Sequence, residues 1–287
     1  LFREGMGMDR RKIGFIGFGE VGRTFAQAMR EKGAELSYFD VVRKNPEEGI
    51  PFLSLEELVK SCDLILVTVV SQAVLDVARQ ASRYLTPGKV YADLNSTSGA
   101  VKQEVGKIIE ASGADFVEGA ILSAVGETGP KASILVSGKK AEAFARLMNE
   151  LGLVHVKYFS LRVGDASTVK MVRSIFSKGM ECLLLEMLVA GKRAGVADPL
   201  WREIVQFMTE RPFERVAENW IRTHPGACER RYHEMVQVVE TVREMGLEPI
   251  MAKATVDFFK RSLAMGLPQA FSEKPARGWE VVERLEQ

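Results

Sequence analysis

The apolar run 12–18 leads into three glycines, Gly17, Gly19 and Gly22, in the segment KIGFIGFGEVGRTFAQAMREKGAELSYFD (12–40). A run of that length suits a buried parallel strand, and glycines in this spacing at the turn from strand to helix have separate mechanical tasks. Gly17 makes a tight turn, Gly19 lets backbone approach a pyrophosphate, and Gly22 lets the helix pack closely on the strand. Phosphates would rest on free N–H groups at the helix N-terminus, with the cofactor lying along Gly17, Phe18, Gly19, Glu20, Val21 and Gly22. A second apolar strand, 34–39, ends at Asp40, 18 residues past Gly22 and near where an acidic residue takes a ribose 2′-hydroxyl. Asp40 favours NAD, while Arg43 and Lys44 just beyond it leave NADP open.

Strands continue to alternate with helices after this unit. Ser54 and Glu57 predict a capping box for a helix over 54–61. Strands are expected over 63–70, 90–94, 116–122, 134–136 and 154–158, with helices over 73–84, 99–112 and 141–151. The fold class is α/β, a Rossmann-type doubly wound, mostly parallel sheet over residues 1–163, with 1–11 a disordered or added lead that lacks the apolar core of a signal peptide. Residues 164–287 form an all-α domain. It opens with a long helix over 166–194, followed by helices over 199–208, 213–221, 230–245 and 249–263, with a turn at His224–Pro225.

Bulk properties exclude several classes of function. Over 287 residues, Lys and Arg number 39 against 38 Asp and Glu, for a net charge of +1, so the chain carries no electrostatic footprint for nucleic acid or an anionic membrane. No apolar stretch approaches the ~20 residues that span a bilayer. Cys62, Cys182 and Cys228 are far apart, which argues for a reducing, cytoplasmic setting and against a disulfide framework. The three histidines, His155, His224 and His233, have no metal-ligand spacing, and no metal site is expected. Apolar faces on the last helices (Met235, Val238, Val239, Val242, Phe258, Phe259) point to a homodimer or to the domain's own core.

Ligands of open α/β sheets bind outside the carboxyl ends of the strands. Three segments leave those ends: 17–22, Thr68–Gln72 with Val69 and Val70, and Asn95–Gly99. Asn95, Ser96, Thr97 and Ser98 present short donors and acceptors that could hold an amide or a carboxylate, and Thr97 or Ser98 also suits the cap of the next helix. On the long helix most positions are apolar, so burial on more than one side is expected. Lys170, Ser174, Ser177 and Glu181 fall within about 60° of one another. Spacing alone does not decide whether that stripe faces solvent or a cleft. In a cleft, partial burial and the helix N-terminal dipole would both lower the Lys170 pKa. Arg230 and Arg231 are further candidates for an anionic substrate.

These residues resemble the β-hydroxyacid dehydrogenase family, which includes 3-hydroxyisobutyrate and 6-phosphogluconate dehydrogenases. The resemblance rests on IGFIGFGEVG (13–22), DLNSTSG (93–99) and GDASTVKMVRS (164–174). It implies that Lys170 is the general acid/base, that Asn95, Ser96, Thr97, Ser123 and Ser174 contact substrate, and that Val69, Val70 and Asn95 contact cofactor. Ser174 stands where the family usually has asparagine, and GAILSAVGE (119–127) replaces its Ser-Gly-Gly loop. The C-terminal half looks more like a subgroup with an uncharacterised second domain. The expected activity is hydride transfer between a nicotinamide cofactor and a small, anionic hydroxy acid. Alternatives are a reductase of imines with the same architecture, whose members usually lack the lysine, and a non-catalytic dinucleotide-binding regulator or scaffold.

Overall fold

The computed structural model describes residues 12–43 and 49–287. The expected lead at 1–11, with Lys44, lies outside the described residues. The described chain divides into two compact units, one ending at Ile175 and one running from Phe176 to Gln287.

In the first unit the elements run β1 (Lys12–Ile16), α1 (Glu20–Glu31), β2 (Glu35–Phe39), α2 (Leu55–Ser61), β3 (Leu64–Val67), α3 (Val74–Ser82), β4 (Val90–Asp93), α4 (Gly99–Glu110), β5 (Asp115–Ile121), the short α5 (Val125–Thr128), β6 (Ile134–Ser137), α6 (Ala141–Glu150) and β7 (Val156–Ser160). The seven strands form one sheet ordered β2-β1-β3-β4-β5-β6-β7. Every neighbouring pair is parallel except β5 and β6, which are antiparallel. The order reverses between β1 and β3, which is the switch point where an open α/β sheet leaves a crevice.

Continuous apolar runs reflect burial on both faces. In β3 Leu64 and Leu66 join Phe15, Phe25 and Phe144 on one side of the sheet, while Ile65 and Val67 join Leu58, Tyr91 and Phe116 on the other. The two-residue period of a strand separates these sets. The capping box starts α2 as the sequence indicates: Glu57 N–H donates to Ser54 Oγ at 3.2 Å, and Ser54 N–H to Glu57 Oε2 at 2.9 Å.

The long helix α7 (Asp165–Arg193) begins in the first unit and continues into the second. There α8 (Ala197–Thr209), α9 (Phe213–Glu244), α10 (Ile250–Ala264) and α11 (Gly278–Glu286) follow. Two expectations are corrected. The two helices expected either side of Pro225 are one helix, with Pro225 inside it and buried. An internal proline costs a helix ~3 kcal/mol, and contacts such as the His224 ring stacked on Phe259 of α10 at 5.3 Å offset that cost. Secondly, α7 is not buried all round: Val172, Ile175, Phe176, Leu183, Leu185 and Val189 are exposed. The expectation followed from the number of apolar positions, which does not say which of them the chain covers. The terminal helix α11 was not expected.

Candidate functional site

The turn after β1 has the shape its glycines require. Gly17 has φ +88°, and a Cβ there would lie 2.5 Å from the Thr68 carbonyl oxygen. A Cβ on Gly22 would lie 2.6 Å from the Gly17 carbonyl oxygen, so the helix sits directly on the turn. A Cβ on Gly19 would meet nothing within 4 Å, leaving that stretch of backbone open to a ligand. No side chain caps α1 at Gly19, and its first amides are available to an anion. This cradle fits a dinucleotide pyrophosphate. The Phe18 ring is buried and stacked on Tyr38 at 4.0 Å, its N–H goes to Asp40 and that of Gly17 to the Phe39 carbonyl at 2.9 Å, so the two expected phosphate amides at Gly17 and Phe18 are already used and the open ones begin at Gly19.

Asp40 closes the other side of the turn. Its Oδ2 accepts from Phe18 N–H at 2.7 Å, and Oδ1 from Val42 and Arg43 N–H at 2.7 and 3.1 Å. Burial raises its pKa, but these three donors and the Arg43 charge outweigh that and hold it below the usual carboxylate value.

A cavity of about 370 Å³ opens beside the turn, lined by Val21, Thr68–Gln72, Leu94–Ser96 and Ile121. It brings Val21, Val69, Val70, Asn95 and Ser96 together. Ser71 Oγ ties its two rims by donating to the Ser96 carbonyl at 2.8 Å. Asn95 is 6% exposed, and its Nδ2 donates to Asp93 Oδ1 at 2.5 Å. A carboxylate only accepts, so the Asn95 amide is turned with its NH₂ toward Asp93. Among the described residues no donor reaches Asn95 Oδ1, which remains an acceptor for a ligand. Thr97 is buried with Oγ1 unpartnered, and Ser98 rather than Thr97 caps α4, accepting from Val101 N–H at 3.4 Å.

Lys170 reaches this rim from α7, where its Nζ donates to Ser96 Oγ. Burial lowers its pKa, and the charge of Lys102 lowers it further. Ser174 Oγ donates to the Lys170 carbonyl at 2.8 Å, the backbone bond common for serine inside a helix. Ser123 is engaged in its own loop, accepting from Ser133 N–H at 2.9 Å and lying 3.3 Å from Thr128 Oγ1. Glu20 is exposed at the start of α1. In the second unit, Arg230 pairs with Glu234, and Arg231 donates to Thr223 Oγ1 at 2.9 Å.

Sequence reasoning missed the buried charges behind this rim. Asp93, Lys102 and Glu118 are all fully buried. Lys102 Nζ lies 3.1 Å from Asp93 Oδ2 and donates to the Asp93 carbonyl at 2.8 Å and that of Gly119 at 3.4 Å. Glu118 Oε1 accepts from Gly164 and Ala166 N–H at 2.7 and 3.0 Å, and Oε2 from Ser167 Oγ at 2.7 Å. The available signal was a lysine in register with Val105 and Ile109 on the apolar stripe of α4, and a glutamate inside an apolar strand.

Comparison with known proteins gives the family. Residues 12–155 match the NAD binding domain of 6-phosphogluconate dehydrogenase, and residues 192–262 match a domain of unknown function, DUF1932. The chain is 30% identical over 261 residues to an uncharacterized 28.5 kDa protein of Methanothermus fervidus, covering 87% of this chain and 98% of that one. It is 20% identical over 287 residues to 2-(hydroxymethyl)glutarate dehydrogenase of Eubacterium barkeri, covering 94% and 95%. A conserved protein of unknown function, described as structurally similar to 3-hydroxyacid dehydrogenases, superposes with TM-score 0.59 at 29% identity, covering 90% and 99%. An imine reductase variant from Myxococcus stipitatus, solved with NAD+, shares the fold at TM-score 0.78 and 18% identity, covering 97% and 100%. The chain belongs to the family defined by the NAD-binding domain of 6-phosphogluconate dehydrogenase.

Proposed function

We propose that this protein is a nicotinamide-dependent dehydrogenase of a small, anionic hydroxy acid, with Lys170 as general acid/base. The observation that carries the reading is the half-buried Lys170 ammonium on Ser96 Oγ, at the rim of the cavity that Ser96 and Asn95 help to line. The cofactor would supply a hydride acceptor. Neutral Lys170 takes the substrate's hydroxyl proton as hydride leaves the same carbon, and protonated Lys170 returns it to the carbonyl oxygen in reduction. Ser96 orients the lysine, and Asn95, whose Oδ1 is left as an acceptor, lines the cavity beside it. Asp40 suits the ribose diol of NAD better than a 2′-phosphate, because its carboxylate is held ionised.

Two further readings accompany it. The exposed apolar residues of α7 and an apolar groove of about 740 Å³ in the second unit, lined in part by Trp220, Phe258 and Phe259, support a homodimer; sedimentation as a monomer would refute it. Three free cysteines, two of them buried, suit a reducing, cytoplasmic setting, which a cell-fractionation blot would test.

The test of the function is a thermal-shift titration with NAD, NADH, NADP and NADPH, followed by a hydroxy-acid oxidation screen. A larger shift with NAD or NADH, and turnover that falls ~100-fold or more in Lys170→Ala with dinucleotide affinity retained, are expected. Oxidation should rise with pH and level off below the range of an ordinary lysine, because only neutral Lys170 accepts the proton. Full activity in Lys170→Ala would overturn the assignment. Turnover of a cyclic imine in place of hydroxy acids would move the protein to imine reduction.

A further inference from the structure

The run from Asn95 to Ser98 suits an amide or a carboxylate, and at Asn95 it is Asp93 that decides between them. Asp93 Oδ1 accepts from the Asn95 backbone N–H at 2.9 Å and from Asn95 Nδ2 at 2.5 Å, while Asp93 Oδ2 lies 3.1 Å from Lys102 Nζ. A proton shared within the Asp93–Lys102 pair would sit on the Oδ2 side, so Oδ1 is an acceptor whichever partner carries it. The reverse orientation of the Asn95 amide would set two acceptor oxygens against each other. Its NH₂ is therefore committed to Asp93, and its carbonyl is turned away.

That carbonyl is open. Among the described residues, the side-chain atoms both sealed from solvent and unpartnered are the Tyr91 hydroxyl, Asp93 Oδ2, Thr97 Oγ1 and Ser137 Oγ. Asn95 Oδ1 also receives no donor but is not sealed, so the small exposed part of Asn95 includes this oxygen, and Asn95 lines the cavity beside the glycine turn. The strand order indicates what a dinucleotide would bring there. With a ribose at Asp40 after β2 and the pyrophosphate on the turn after β1, the cofactor continues past the ends of β3 and β4, whose following residues Thr68–Gln72 and Leu94–Ser96 line the cavity. The end that arrives is the nicotinamide ring, and its N–H donors are those of the carboxamide.

We propose that Asp93 is a positioning residue for cofactor recognition: it holds the Asn95 amide with its carbonyl toward the cavity, and that carbonyl takes a carboxamide N–H of nicotinamide and disfavours a carboxylate. A group with an N–H there gains a hydrogen bond, whereas a group without one leaves the carbonyl unpaired or meets it with a second oxygen. This assignment requires dinucleotide binding at the glycine turn and no particular substrate, so it stands apart from the hydroxy-acid reading. It also sends the carboxylate of an anionic substrate to a partner other than Asn95.

Calorimetric titration reads the contact without turnover. The ligands are NAD, its acetylpyridine analogue, in which methyl replaces the NH₂, and its nicotinic acid analogue, in which a carboxylate replaces the carboxamide. The unsubstituted protein should bind NAD roughly 3- to 10-fold more tightly than the acetylpyridine analogue and at least ~10-fold more tightly than the acid. Asp93→Leu/Lys102→Met keeps the bulk, removes the buried pair and frees the Asn95 amide to turn, so the preference for NAD over the acid should shrink roughly fivefold or more. Asp93→Asn/Lys102→Met still offers an oxygen to the Asn95 N–H groups and should keep the preference, an outcome that general loosening of the segment would not give. Should Asp93→Leu/Lys102→Met fail to fold, Asn95→Ala removes the carbonyl outright and should bring NAD and its acetylpyridine analogue within about twofold of each other. An undiminished preference in folded Asp93→Leu/Lys102→Met or in Asn95→Ala, or an equal loss in Asp93→Asn/Lys102→Met, overturns the proposal. Failure of NAD to bind the unsubstituted protein overturns the cofactor reading and this one with it, whereas equal binding of all three ligands overturns this one alone.

Discussion

Glu118 is expected to hold the start of α7, and the cost of losing it can be worked from its two bonds to backbone amides. The first amides of a helix lack intrahelical partners, and here those of Gly164 and Ala166 go to one oxygen of a buried carboxylate at 2.7 and 3.0 Å. In Glu118→Gln the acceptor oxygen stays but its charge goes. Charge-assisted bonds contribute ~1.5–3 kcal/mol against ~0.5–1.5 for neutral ones, so two bonds lose about 2 kcal/mol. The favourable interaction of an anion with the helix N-terminus adds about 0.5–1 kcal/mol to the loss, and the lower desolvation cost of an amide returns part of it. The net is about 2 kcal/mol, or roughly 30-fold in local opening. Glu118→Ala leaves three neutral donors with no acceptor, at about 1–3 kcal/mol each, and should cost about 3 kcal/mol or more. Hydrogen exchange read by mass spectrometry on a peptide covering 163–170 measures this, with a β1 peptide reporting whether the whole unit opens. If the Gly164 and Ala166 amides of Glu118→Ala stay as protected as in the unsubstituted protein while β1 remains protected, the carboxylate is not the anchor.

Gly17→Ala should destabilise the first unit by about 2 kcal/mol or more, because an L residue at positive φ costs ~1–2 kcal/mol before the contact with the Thr68 carbonyl is relieved. Gly19→Ala should leave the melting temperature unchanged without ligand and reduce the dinucleotide-induced shift; the opposite ordering would place the phosphates elsewhere. In the second unit, burial and then the Arg231 charge lower the His224 pKa, while its Nε2 lies 2.9 Å from Ser262 Oγ. A histidine whose folded pKa is depressed contributes stability in full above its unfolded value of ~6.5, and that contribution falls as pH drops from there to the folded value. Urea unfolding followed by tryptophan fluorescence reports this unit alone, since Trp201, Trp220 and Trp279 all lie in it. The loss on going from pH 8 to pH 5 should shrink in His224→Gln, and an unchanged loss would exclude His224 as the source.

The sheet was legible in the sequence because its strands are short apolar runs, several of them closed by glycine, proline or a cap, and α1, α2 and α4 carry start signals of their own. Boundaries shifted by one to three residues at most strand ends. The glycine turn was legible for the same local reason: the spacing Gly17, Gly19, Gly22 demands one backbone path. What was not legible depends on partners distant in sequence. Pro225 reads as a break until α10 packs against its helix. Lys102 reads as a surface lysine until the chain brings Asp93 and the Gly119 carbonyl to it. Asn95 could be recognised as a polar residue at a strand end, but the direction its amide faces follows from Asp93, Lys102 and the fold together. The roll of exposed apolar residues on α7 was hidden because pattern shows that a face is apolar, not whether this chain covers it.

The reversal between β5 and β6 has a consequence for how the site can diversify. A parallel successor to β5 would need a crossover back to the far edge of the sheet. Because β6 is antiparallel, residues 122–133 leave and re-enter the sheet at the same edge, closed by Leu122 N–H on the Ser133 carbonyl at 2.7 Å. That edge also carries the ends of β1, β3 and β4. Val125 and Ala132 anchor this segment in the core with Phe25 and Ala26 of α1, while the residues between them lie nearer the surface. Change beside the cavity is therefore confined to those less buried positions, because the two anchors are shared with the helix that follows the glycine turn.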